Sequence, residues 1–153
     1  MRGRVIGWAL ALLLACGSTS APVDAATLRQ GAQGPQEKTL LASAARTASA
    51  DGSDQTNTVG RGLVVVIDCT AATASPSVVF TVQGKDSLSG KYYTLLASAA
   101  ITGISTTVLR IYPGLTAAGN LVASDVAPRV YRVITTAADA DSLTCSVGGI
   151  EIL

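Results

Sequence analysis

Residues 63–70 read LVVVIDCT, and the class of the whole fold turns on this stretch. Its Val-Val-Val-Ile run sets β-branched side chains at successive positions. Such side chains are stiff at χ1 and crowded in a helical turn, but they sit well on a pleated surface. The small polar segment 71–77, AATASPS, closes the run. A strand is therefore expected here, and its apolar character on both sides makes it the best candidate for a central one.

On the C-terminal side, residues 77–85 alternate. Val78, Phe80 and Val82 share one face and Ser77, Thr81 and Gln83 the other, with Val79 interrupting the polar side. Residues 86–90, DSLSG, carry turn chemistry, so residues 92–96 are expected to return as the second arm of a hairpin. Residues 106–112 alternate again, with Leu109 and Ile111 against Val108, Arg110 and Tyr112, and stop at Pro113-Gly114. A long loop is expected over 115–128. Residues 129–136 set Tyr131, Val133 and Thr135 opposite Val130, Arg132 and Ile134, and residues 143–147 make a last core strand ahead of 150–153.

Turn residues separate these runs at intervals suited to an antiparallel sandwich or barrel. The expected fold is all-β: an antiparallel β-sandwich of jelly-roll or Ig-like type over residues 38–153, a single domain. Residues 26–37, ATLRQGAQGPQE, lack apolar periodicity and read as a flexible N-terminal arm. The heptapeptide TLLASAA occurs at 39–45 and again at 94–100, but the match does not continue, and no repeat architecture is built on it.

The chain has 153 residues, 14% of them charged and 48% apolar, which fits one globular domain and excludes a disordered polyelectrolyte. Eleven basic and ten acidic side chains leave no field to steer nucleic acid or an anionic membrane. The absence of histidine removes the usual His-dependent hydrolases and most zinc chemistry.

Residues 1–25 have a leader-like layout, with Arg2 and Arg4 ahead of the apolar run 5–15, VIGWALALLLA, and a small-residue tail. The run is too short for a membrane anchor, which needs about 20 residues. Three readings stand: a signal peptide cut after Ala25, a lipoprotein signal in which Cys16 of Leu-Leu-Ala-Cys is lipidated, or a misassigned start. Without the segment, nine basic and nine acidic side chains remain and the body is neutral.

Candidate chemistry is sparse. Residues 84–91, GKDSLSGK, suggest a phosphate loop, but five residues separate the glycines where the motif has four, Tyr92 stands at the Ser/Thr position, and a strand follows. A hairpin turn is the better reading. Asp51 with Asp54 and Asp139 with Asp141 offer too few oxygens for calcium. Glu151 reads as a solvent-facing polar residue, with no second carboxylate placed for glycoside hydrolysis. Arg110, Arg129 and Arg132 are expected to pair with neighbours across strands, and the body lacks Trp for nucleic-acid stacking. Cys69 and Cys145, each in an expected strand, form a candidate disulfide that would clasp the sheets in an oxidising compartment; as free thiols they would act as small buried hydrophobes. No catalytic residue, metal ligand or cofactor site is expected.

Four segments together resemble a family of small structural proteins of tailed bacteriophages and prophages. They are 38–52 (KTLLASAARTASADG), 78–103 (VVFTVQGKDSLSGKYYTLLASAAITG), 108–120 (VLRIYPGLTAAGN) and 123–149 (ASDVAPRVYRVITTAADADSLTCSVGG). The span is about three quarters of the chain. The resemblance implies a virion component, a sandwich in the head, connector or tail that works through contacts with other virion proteins. A homo-oligomer is expected, with no nucleic-acid partner and no membrane unless Cys16 is lipidated. A leader would instead imply an exported or lipid-anchored bacterial sandwich that binds a surface ligand.

Overall fold

Alternation of inward and outward side chains organises the molecule. The computed structural model describes residues 34–58 and 60–153, and among them the chain forms ten strands and no helix. They are β1 (Gln36–Arg46), β2 (Ala50–Asp51), β3 (Gln55–Thr56), β4 (Gly62–Ala72), β5 (Val78–Lys85), β6 (Tyr92–Ala97), β7 (Ser105–Ile111), β8 (Val122–Ala123), β9 (Val130–Ala137) and β10 (Leu143–Ile152).

The first sheet has the order β1-β10-β4-β7-β8; the second has β2-β9-β5-β6, with β3 also on β9. Taking β2 and β3 as one interrupted strand, the pairs nest: β1 with β10, β2 and β3 with β9, β4 with β7, and β5 with β6, all antiparallel. This is a long hairpin folded over on itself, closed by the β10–β4 and β5–β9 ladders. Rolled into two facing sheets, it is the jelly-roll form of the β-sandwich.

LVVVIDCT lies in β4, third of the five strands in its sheet, as the sequence reading expects. Leu63, Val65, Ile67 and Cys69 point inward and are buried, as are Leu109 and Ile111 of β7 and Leu143, Cys145 and Val147 of β10. Across the sandwich they meet Val78, Phe80 and Val82 of β5 and Tyr131 and Val133 of β9. Each such aliphatic or Phe side chain contributes about 1.5–3 kcal/mol by burial.

The boundaries differ from expectation in three places. The arm ends sooner, because Gln36 and Glu37 already pair with Glu151 and Ile150; residues 26–33, the leader-like segment and Cys16 lie outside the described residues. The loop 115–128 carries the short β8, parallel to the end of β7. The last strand does not stop at 147 but runs on through Gly148 and Gly149 to Ile152. The two TLLASAA copies are not structural equivalents: Leu40 is buried and Leu41 half-buried in the first, whereas Leu95 is half-buried and Leu96 buried in the second. A shift of one residue exchanges the faces.

Candidate functional site

Continuing the inward series of β10 past Val147 and Gly149 brings Glu151 into the interior, where it is fully buried. Its expected role as a solvent-facing residue is therefore corrected. Lys38 of β1 places Nζ 2.5 Å from Glu151 Oε1, and the Tyr131 hydroxyl donates to the same oxygen at 3.2 Å. The Thr58 amide donates to Oε2 at 3.4 Å, and Lys38 also donates to the Thr56 carbonyl. Burial, and then the charge of Glu151, hold the Tyr131 phenol well above its ordinary range. Gly60 packs so closely here that a Cβ would fall 2.9 Å from that of Glu151.

This cluster joins β1, β9, β10 and the segment after β3. The carboxylate oxygens are taken up by these donors, and the cluster acts as an internal lock. The inward phase of Glu151 was readable from Leu143, Cys145 and Val147; its partner Lys38, at the far end of the described chain, was not.

Cys69 and Cys145 are brought together, bonded at 2.05 Å with Cα atoms 4.0 Å apart. They do not clasp the two sheets, as expected, but face one another on β4 and β10 within one sheet. The ladder explains the close approach. The Arg110 amide points at Leu121, away from β4, so by alternation Ser105, opposite Cys69, directs its backbone groups at β4. Cys69 then points its own toward β7, and its pairing with Cys145 is of the closer, non-hydrogen-bonded kind.

The other candidates are absorbed by local structure. In the 84–91 turn the Asp86 carboxylate accepts the amides of Leu88 and Ser89 and the Ser89 hydroxyl, and Gly90 takes φ +68°. Amides that would hold a phosphate are thus already occupied. The Ser89 hydroxyl, with the two amides, pulls the Asp86 carboxyl below the usual carboxylate range.

On the outer face of the second sheet, Asp51 pairs with Arg132 at 3.0 Å and Asp54 with Lys85 at 2.7 Å. The Lys85 ammonium, followed by the Tyr92 hydroxyl, lowers the Asp54 carboxyl. Arg132 lies 3.6 Å over the Tyr92 ring and donates to Gln83, which bears out its expected pairing. Asp139 and Asp141 accept the amides of Asp141 and Ser75. Among the described residues no group of three His, Cys, Asp or Glu is placed to hold a metal ion. Arg110 is exposed on the first sheet, which the register places opposite the Arg132 network, so no shared basic patch forms.

Two surface features remain. On the outer face of the first sheet, Val66 sits between Gly148 and Val108, and Val64 between Ile150 and Arg110. These four apolar side chains are half-buried. Gly148 leaves a shallow depression there of about 330 Å³, bounded by Glu37, Thr39, Val66 and Ile150. A second, wider slot of about 510 Å³ runs beside β7, between the 99–104 segment and the turn at 119–121.

Comparison with protein-family models, with curated proteins and with solved structures finds no match to this chain.

Proposed function

We propose that the chain is a non-enzymatic structural subunit of a tailed-phage virion, a head-decoration, connector or tail component acting through protein–protein contacts. The four-segment resemblance supports the family, and the observation that carries the contact role is the outer face of the first sheet. Val64, Val66, Val108 and Ile150 stand side by side there, facing water. A partner that covers them gains the burial that the isolated sandwich leaves unused. The jelly roll itself does not choose a role, since capsid, lectin and cupin proteins all use it. The test is mass spectrometry of particles purified from a lysogen or infected culture. Recovery in stoichiometric amount supports the reading, and absence from particles with abundance in the envelope fraction overturns it.

One observation favours a second reading. The Cys69–Cys145 bond suits an oxidising compartment, as would an exported or lipid-anchored sandwich that binds a surface ligand. Intact mass of the native product separates the two: a diacylglycerol-bearing Cys16 establishes the anchored form.

A further inference from the structure

The free margin of β7 is a strand-pairing site, and we infer that its occupant is the β7 margin of a second copy of this chain. This goes beyond the virion reading and stands without it. β8 covers only Arg110 and Ile111 of β7. The amides of Arg110 and Tyr112 point toward β8, at Leu121 and Ala123. By alternation, Thr106 and Val108 direct their N–H and C=O groups to the same side, where among the described residues no strand lies.

An unpaired row of backbone groups is a template for another extended chain. Natural sheets usually blunt such margins with charge, bulges or proline. The opposite margin of this sheet has such a guard. Arg46 of β1 folds back, 8% exposed, and donates to the carbonyls of Ala42 and Ala44, and β1 carries two register shifts. The slot beside β7 has no guard: no residue lining it is charged, and β7 pairs with β4 without a shift.

The lining also selects the occupant. An uncharged slot suits an uncharged strand: residues 104–109, ISTTVL, carry no charge, whereas the β1 margin brings Glu37, Lys38 and Arg46. Exposed apolar side chains stand at the two ends, Ile104 (71% exposed) before β7 and Leu121 (48% exposed) beside its far end. A two-fold interface needs each end to match the other, and these do. When Thr106 pairs with the partner's Val108, and Val108 with the partner's Thr106, both residues of each pair exchange their N–H···O bonds. Pairing stops there, because Val122 already occupies the place beside Arg110, and Ile104 is left against the partner's Leu121.

The experiment uses the full chain. Light scattering across a concentration series is expected to show a monomer–dimer equilibrium, with exchange protection of the Thr106 and Val108 amides rising with concentration. Val108→Pro removes an N–H from the free margin, a position where proline is tolerated in an isolated strand. It is expected to weaken association about tenfold or more while unfolding stays cooperative. A photo-crosslinking residue at Ile104, in a mixture of isotope-labelled and unlabelled copies, reads the register even where the proline variant fails to fold. Mixed-label crosslinks to the peptide holding Leu121 are expected. A strictly monomeric chain, crosslinks to residues 1–33 or to another protein, or a dimer with Thr106 and Val108 unprotected overturns the proposal.

Discussion

The two margins of the first sheet are built on opposite principles. On the β1 side, an almost buried arginine satisfies the Ala42 and Ala44 carbonyls, and Lys38 reaches inward to a fully buried carboxylate. On the β7 side, a short parallel β8 covers the last residues and the remainder faces a neutral slot. Both strands are antiparallel members of one sheet, so strand propensity does not separate them. Charge does: the β1 margin carries cations that reach inward, and the slot beside β7 is lined by uncharged side chains such as Thr, Ser, Ala and Ile.

The strongest way to break the contrast is to attack the guarded side. Lys38→Met strips the cation from buried Glu151 and is expected to cost about 3–5 kcal/mol, the range for one partner lost from a buried pair; urea unfolding measures it. Next, Cys69→Ala with Cys145→Ala opens a loop of 76 residues and is expected to cost about 2–4 kcal/mol, read as a lower midpoint with unchanged strand content by circular dichroism. Arg46→Ala leaves two carbonyls without their donor, at about 1–3 kcal/mol. It also uncovers β1, so its self-association by light scattering should exceed that of the parent chain, bringing the two margins closer in behaviour.

The smallest effect is one of pH on the second sheet. Asp54 has its carboxyl lowered by Lys85 and Tyr92. A carboxyl lowered on folding contributes stability above its unfolded value, near pH 4, and loses it as pH falls through the folded value. Thermal midpoints are therefore expected to decline below about pH 4. Because Asp54 and Lys85 are accessible to solvent, salt should reduce the decline.

Much of this architecture was readable in advance, and the particular successes share a cause. The inward faces of β5 and β9 followed from Val78, Phe80, Val82 and from Tyr131, Val133, Thr135, because alternation is a local property of the chain. Turn chemistry at 86–90 likewise placed the β5–β6 hairpin. The misses concern pairings between distant segments. Glu151 follows the inward phase of β10, yet a carboxylate is interior only when a cation is delivered to it, and Lys38 arrives from the other end of the nested hairpin. Alternation placed both Cys69 and Cys145 inward but did not show that their strands are neighbours in one sheet. The two TLLASAA copies, on which no repeat was built, take opposite phases in β1 and β6, set by β10 in one case and β5 in the other. The open margin of β7 left no mark in the sequence, since a strand reads the same whether one side of it is paired or both.

The nesting also governs how the molecule comes to be made. Among the described residues β1 finds its ladder on β10, and β10 stands between β1 and β4. A nascent chain emerging from the ribosome therefore holds β1 unsatisfied until β10 has been made, and so large a sequence separation slows closure. Loss of β10 to a premature stop would strand β1 and bare a full flank of β4, so a truncated product is expected to be cleared or to aggregate instead of persisting as a smaller sandwich.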